Sequence, residues 1–424
     1  MKSKKLLLTL IPIALLFRVP AASGQCPTPG PTVNGNKSIS ANVLGSTLTI
    51  GTSNAFAGAI TSITWRGKQF IDAADHGREL QTAVFAQPAA DAGIPDWVEC
   101  YNANEAGSVI DTTVSSSKLR SISAVGNVLT STTQMAFYLP PGGYGVCGEH
   151  GEGPAHNQCA LSRYVLHKTV TIGFAGIPNV IEYVATVDIP EELARGEIVI
   201  AAYGPSSLRC TKTYDFRNGN FTSGDDVYVC PDTSKGLATN YGTNYPAALH
   251  DFSGTGMTLY SPELLQPLQD ASHPIANPFL QWVMFPGATP TSVFWSRFVQ
   301  STPYHAGEVA TRRVYLVVGT FQEMRNALSQ LHSYFSDLDP DVFDWQQYSA
   351  WNGDVAAAMP GQYGNENHWD WWGLSEGRRA AVPFWAPLYL QRYQDISNYC
   401  GPTNYPCAAW HYVTFGRAEG RIGN

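Results

Sequence analysis

Between about residues 37 and 320 the chain is a succession of short runs in which apolar and polar residues alternate, each run broken by Gly, Pro, Asn or Ser. A period of two puts successive side chains on opposite faces of a strand, so each run has one apolar face that must be covered. Leu48-Thr49-Ile50, Ile60 to Trp65, Gln134 to Leu139 and Tyr315 to Val318 are such runs. The best hairpin joins Tyr164 to Ile172 with Val180 to Val187 across Gly176-Ile177-Pro178-Asn179. This much strand predicts a mainly β fold, a large antiparallel β-sandwich, rather than a helical enzyme. A helix is predicted from about Phe321 to Tyr334, where Leu328, Leu331 and Phe335 recur at helical spacing and close the β region.

Only 14% of the residues are charged, while Trp, Tyr, Gly and Pro are abundant. Soluble domains average about 25% charged residues, so the balance points to an exported, turn-rich β protein. Lys2, Lys4 and Lys5, the apolar run Leu6 to Phe17 and the small residues Ala21 to Gly24 have the order of a secretory signal peptide, assigned to residues 1–24. That run is too short for a bilayer of about 30 Å and no later run is longer, so no membrane insertion is expected. Without the leader, 22 basic residues face 34 acidic ones, a balance of −12. Nucleic acid and anionic membranes are poor partners for such a surface.

Eight cysteines follow the leader, at positions 26, 100, 147, 159, 210, 230, 400 and 407. An even number in an exported chain points to disulfides. Close spacing proposes Cys147–Cys159, Cys210–Cys230 and Cys400–Cys407, leaving Cys26 for Cys100. Spacing alone does not prove the pairing. No CxxC occurs, and no metal or cofactor is expected.

Residues 339–424 contain an internal repeat. Tyr348 and Asp354 match Tyr389 and Asp395 at an offset of 41, and His368-Trp369, Gly373 and Glu376-Gly377-Arg378 match His411-Tyr412, Gly416 and Glu419-Gly420-Arg421 at an offset of 43. Two helix-turn-helix units of about 40 residues fit this, each packed on its neighbour, after a sandwich over residues 25–338. The stretch Glu366-Asn367-His368-Trp369-Asp370-Trp371-Trp372 reads alone as a sugar-binding or catalytic patch. The repeated His, Gly and Glu-Gly-Arg positions point instead to packing and helix termination. The pattern resembles a tandem repeat found at the ends of exported and surface proteins, which implies cell-surface or matrix attachment.

Phe56 to Asp72, with its Arg66-Gly67-Lys68 turn, resembles the opening hairpin of the galactose-mutarotase-like β-supersandwich. Asp75-His76-Gly77-Arg78-Glu79-Leu80-Gln81 is similar to the Asp-x-Gly-Arg-x-(Leu/Ile)-Gln element of exported relatives. Asn102 to Ser108 is similar to their Asn-Pro-Thr-Glu-Ala-Gly-Ser loop. The resemblance covers about residues 40–335, and it implies carbohydrate as ligand more firmly than any one reaction, since the superfamily includes sugar epimerases and domains of glycosidases and polysaccharide lyases.

The residues themselves offer matching chemistry. Ring opening, hydrolysis and β-elimination each move a proton on or off carbon or oxygen, and His76, Glu79 and Glu105 are candidate catalytic acids and bases. Arg78 is a candidate substrate donor, or equally the partner of a carboxylate that pins a loop. Between Cys147 and Cys159, His150 and His156 lie with Glu149 and Glu152 in a loop that reads first as plain solvated chain, with a substrate-facing loop and a divalent-metal site as the alternatives, and His305, a candidate substrate contact, precedes a late strand. Trp97, Tyr101 and Tyr144 are candidates to stack on sugar rings, with core packing as the alternative. No Gly-x-Ser-x-Gly, phosphate-cradling loop or His-Glu-x-x-His occurs, which leaves serine-hydrolase, nucleotide and zincin readings without support. The expected activity is lyase, glycosidase or epimerase, with a non-catalytic carbohydrate-binding or adhesion protein as the alternative.

Overall fold

A computed structural model describes residues 26–28, 30, 33–94, 97–148, 151–208, 210–215, 220–221, 246–251, 253–264, 292–299 and 303–424. The leader, His150, Glu149 and Cys230 lie outside the described residues.

The alternating runs form two antiparallel layers. One layer runs from Lys118–Val125 through Val128–Phe137, Leu161–Phe174, Ile177–Asp188 and Val309–Thr320 to Thr255–Tyr260 and Ala247–His250. The other runs from Ser292–Val299 through Leu193–Gly204 and Leu80–Pro88 to Ile60–Trp65, Ser46–Thr52 and Ser38–Val43. The short strand Asn102–Asn104 pairs with both Leu80–Pro88 and Val128–Phe137, and so joins the layers. This is the mainly β sandwich that the alternating runs predict.

The predicted hairpin forms with a tighter turn. Strands Leu161–Phe174 and Ile177–Asp188 leave only Ala175 and Gly176 between them, with φ of 47° and 82°. Two left-handed residues twist a turn in the same sense as its strands, which favours this two-residue connection. Pro178 then falls where the register slips between Ile172 and Phe174, a bulge that needs no ladder bond from it.

Burial along the strands positions the site. On Ile177–Asp188, Ile181, Tyr183, Ala185 and Val187 are buried and the residues between them half-buried, as expected for a strand with one covered face. Leu80–Pro88 and Leu193–Gly204 are buried on both faces. Leu80, Val84, Ile198 and Ile200 face the main core, whereas Phe85, Val199 and Tyr203 join Trp97, Cys100, Cys147 and Val293 in a second cluster outside the sheet. The segments around residues 94–101 and 147 therefore cover this layer from outside.

The cysteine pairing differs from the spacing rule. Cys26 bonds Cys159 and Cys100 bonds Cys147, while Cys400–Cys407 forms as expected. Glu99 donates its N–H to the Val146 carbonyl at 3.0 Å, so backbone pairing sets Cys100 beside Cys147, with their Cα atoms 5.0 Å apart. Cys159 is left to the N-terminal segment. Proximity in the fold decides the partner, and separation along the chain does not. The expected Cys210–Cys230 pair lies outside the described residues.

The helix Phe321–Tyr334 begins where predicted, at a capping box in which Thr320 and Glu323 each receive the other's backbone N–H. Met324, Leu328 and Leu331 pack it on the sandwich core. Beyond it, Val342, Phe343, Tyr348, Trp369, Phe384, Tyr389 and Tyr412 belong to a hydrophobic cluster of their own. Each matched stretch holds three short helices, where the sequence predicts two. They are Trp345–Trp351, Gly353–Ala358 and Gly361–His368, then Ala386–Arg392, Gln394–Cys400 and Tyr405–His411. Gly353 and Pro360-Gly361 interrupt the first stretch, and Gly401-Pro402 the second. Each ends in a π turn, Trp369–Gly373 and Tyr412–Gly416. No helix among the described residues is long and apolar enough to cross a membrane.

Proteolysis of the unreduced protein followed by mass spectrometry is predicted to recover linked peptides carrying Cys26–Cys159 and Cys100–Cys147. Recovery of Cys147–Cys159 would contradict this arrangement.

Candidate functional site

The run from residue 72 to 81 follows the Ile60–Trp65 hairpin, and Asp72 donates its N–H to the Tyr203 carbonyl at 2.8 Å on the neighbouring strand. Arg78 is held by carboxylates of its own loop, with Nε 3.0 Å from Asp75 and a terminal nitrogen 3.7 Å from Asp72. It acts here as a loop fastener.

His76, Glu79 and Glu105 come together in space but away from solvent. His76 is buried, its ring 4.5 Å from that of Phe56, and Nδ1 lies 2.8 Å from the Ala106 carbonyl. A carbonyl only accepts, so Nδ1 carries the proton. Glu79 is wholly buried, and neither carboxylate oxygen has a hydrogen-bond partner among the described residues. Burial raises its pKa well above the ordinary value; the backbone N–H groups of Glu79 and Arg78 pull it down in part, and the charges of Asp75 and Glu105 push it up. Burial therefore favours the protonated form of Glu79.

Glu105 has the opposite environment. Its carboxylate accepts from the Lys168 ammonium, from the Tyr183 hydroxyl at 3.1 Å and from the Thr82 N–H at 3.1 Å. Thr82 Oγ1 lies 2.9 Å from the Tyr183 hydroxyl, and Lys168 also reaches the Gly58 carbonyl. Both charged side chains have no solvent-exposed surface. Burial pulls the Lys168 ammonium below its usual range, and Glu105 opposes that pull. A hydrogen-bonded pair with no access to solvent acts as a structural tie, the role this geometry gives Glu105. Trp97 lies in the outer cluster with 2% of its surface exposed, packed as in the core alternative. His305 is exposed on a loop, with Nδ1 2.8 Å from Glu192, which raises its pKa.

An open groove of about 560 Å³ adjoins the outer cluster through Tyr101 and is lined by Asp91, Tyr101, Gly142, His156, Asn157 and Gln158. Asp91 sits on the turn after strand Leu80–Pro88, Tyr101 follows Cys100, and His156 donates its N–H to the Cys100 carbonyl at 3.2 Å. One carboxylate oxygen of Asp91 takes both groups, the Tyr101 hydroxyl at 2.5 Å and His156 Nδ1 at 3.2 Å. The Tyr101 hydrogen bond is the main cause that holds the Asp91 carboxyl below its usual range, and His156 adds to it. Burial and the same hydrogen bond push the Tyr101 hydroxyl well above its usual pKa, so it remains a neutral donor. With an ionised carboxylate at Nδ1, His156 in its neutral form carries its lone pair on Nε2, which has no protein partner among the described residues. The arrangement can take a proton from a bound molecule and return it.

Sequence reasoning reached the His156 loop and named Tyr101 as an aromatic, but it missed Asp91. Nothing near Asp91 marks it, because its two partners lie 10 and 65 residues away. Cys100 and Cys147 approach His156 closely enough to suit a metal ion, but their sulfurs are joined to each other. A disulfide sulfur is no thiolate ligand, so these residues do not fit a metal centre.

No family model matches the sequence, and no curated protein matches it. Among solved structures, an α-mannosidase from Enterococcus faecalis V583 is 10% identical at a TM-score of 0.35, over 69% of this chain and 30% of that one. A galactose mutarotase related enzyme from Lactobacillus acidophilus is 8% identical at 0.33, over 68% of this chain and 98% of that one. A heparan sulfate lyase from Pedobacter heparinus is 7% identical at 0.32, over 68% and 36%. The chain thus spans about a third of the length of the mannosidase and of the lyase.

Two outcomes follow from the buried groups. Lys168→Met is expected to cost about 3–5 kcal/mol by leaving Glu105 unpaired, and Lys168→Met with Glu105→Leu less than the two single changes together, as read from urea unfolding. Additive costs would count against the tie. For Glu79, an unfolded carboxyl ionises near 4.5 while the folded one keeps its proton to higher pH. The folded state then binds more protons, and the contribution to stability falls as pH rises from about 4.5 until Glu79 ionises. Glu79→Gln should remove that loss, gaining on the wild type by about 1.4 kcal/mol for each pH unit in this window. A stability difference that does not change with pH would show that Glu79 is ionised in the folded protein.

Proposed function

We propose that this is an exported carbohydrate-active protein that acts on a poly- or oligosaccharide at the groove of Asp91, Tyr101 and His156. The observation that carries the reading is the hydrogen-bonded set itself: a histidine oriented through Nδ1 by a carboxylate, a tyrosyl donor on the same oxygen, and an open groove of about 560 Å³ around them. Polar donors and acceptors beside a half-buried ring suit a molecule that has hydroxyls on its edges and C–H groups on its faces. In the reaction His156 Nε2 removes a proton from a sugar hydroxyl or ring carbon, and Asp91 stabilises the imidazolium that forms. Tyr101 hydrogen-bonds oxygen on the substrate or holds Asp91 in place. Lyase, glycosidase and epimerase chemistry each contain such a step. The three described disulfides support export into an oxidising compartment.

A second reading makes the sandwich a recognition module attached through a repeat unit over residues 339–424. One observation favours it: of the seven strongly exposed aromatic residues described, five lie within residues 339–424.

Turnover of a saccharide panel by the full chain tests the first reading. His156→Ala is expected to lower kcat by at least about 10²-fold, the usual worth of a positioned acid or base, with unfolding unchanged. Asp91→Asn should also lower kcat, because an amide does not stabilise the imidazolium. Wild-type turnover by both variants would move the chemistry elsewhere.

A further inference from the structure

The two matched stretches of the helical region repeat more than their core. In the first, the Tyr348 hydroxyl lies 2.8 Å from His368 Nδ1, and the His368 ring sits 5.5 Å from Trp372 at 58°. In the second, the Tyr389 hydroxyl lies 2.9 Å from His411 Nδ1, and the His411 ring sits 5.7 Å from Phe415 at 50°. Packing accounts for most of the repetition. Trp369 and Tyr412 are buried, and a side chain at Gly373 or Gly416 would collide with the Tyr348 or Tyr389 hydroxyl. It does not account for Trp372 and Phe415, which remain 47% and 44% exposed at the matched place.

Each exposed ring has the same polar neighbour. Glu376 donates its N–H to the Trp372 carbonyl and Glu419 to that of Phe415, so each glutamate stands one helical turn beyond its ring, on the same face. Glu376 and Asp354 hold Arg378 between them, and Glu419 and Asp395 hold Arg421. A flat apolar face with a guanidinium–carboxylate clasp beside it supplies stacking for sugar C–H groups and paired donors and acceptors for hydroxyls. Trp371, 63% exposed and edge-on to Trp372 at 5.2 Å, enlarges the first copy, where Thr414 occupies the matched place in the second.

We propose that Trp372 and Phe415, each with its clasp, form two matched contact surfaces that bind a single neutral polysaccharide chain. The inference rests on the reading that the ligand is a saccharide, and it places polymer binding apart from the Asp91–His156 groove. A surface that repeats suits a ligand that repeats, because the second contact is made at high effective concentration. Charge selects the class of polymer. Residues 339–424 carry five basic and nine acidic side chains, of which Asp339 and Glu366 are buried, and at the surface each clasp sets one arginine between two carboxylates. An acidic polysaccharide or nucleic acid is repelled by this surface, and an uncharged one is not.

Native gels of the full chain cast with hydroxyethylcellulose, xyloglucan or dextran, and a parallel gel with polygalacturonate, test the proposal. Retardation is expected from at least one neutral polymer and not from polygalacturonate. Trp372→Ala should weaken it about 10-fold, Phe415→Ala less, and the double variant should abolish it, all with wild-type thermal unfolding. His156→Ala should be retarded as the wild type is. The proposal is overturned by a wild type that no neutral polymer retards, by a double variant retarded like the wild type, or by retardation in polygalacturonate alone. Loss of retardation in His156→Ala with none in the double variant would assign binding to the groove, sinking this proposal and leaving the groove reading intact. A double variant that loses only self-association in sedimentation would give the surface to a second copy of the chain and overturn the proposal as well.

Discussion

The Lys168–Glu105 pair is the contact on which the sandwich turns. Lys168 stands on strand Leu161–Phe174 of one layer, and Glu105 follows the short strand that joins the layers. Thr82 from the second layer and Tyr183 from the first complete the carboxylate's shell. With water excluded from both side chains, neither charge has another partner of comparable strength, so the layers are held at one spacing and in one register. Apolar packing alone tolerates small slips. A buried charge does not.

That fixed register gives the outer cluster its footing. Because Leu80–Pro88 and Leu193–Gly204 use their inner faces for the main core, Phe85, Val199 and Tyr203 are left projecting outward and need a cover. The segments carrying Trp97, Cys100 and Cys147 supply it, and the Cys100–Cys147 bond fastens them to one another. The groove lies at the edge of this cover. Asp91 comes from the end of a core strand, while Tyr101 and His156 come from the stapled segments, so the set is assembled on backbone that is held on both sides. Glu79 lies inside the protein, where burial raises its pKa, and that burial places it outside the groove chemistry.

Much of the architecture is legible in local pattern. The alternation of Tyr164 to Ile172 fixes which face each residue shows, whereas a register slip at Thr61 lets Ile60, Ile63 and Trp65 all be buried, and the spacing of Leu328 and Leu331 marks the helix they occupy. Polar residues are legible only as residues. His76, Glu79 and Glu105 have the composition of an active site, and the fold turns them inward, where one is a tie and another a buried acid. Asp91 has no local mark at all. The cysteines follow the same division: their even number is visible along the chain, but the partner of Cys147 depends on the pairing of Glu99 with Val146.

The sequence by itself determined a strand-rich sandwich, the helix that closes it and the matched positions of the C-terminal stretch, because each of these rests on contacts between residues near in the chain or on a period that a short window contains. Only the tertiary structure decided which disulfides form, which carboxylates are buried and where a histidine meets an aspartate. Those outcomes depend on segments tens of residues apart arriving at one place, and on whether water can reach them once they have arrived.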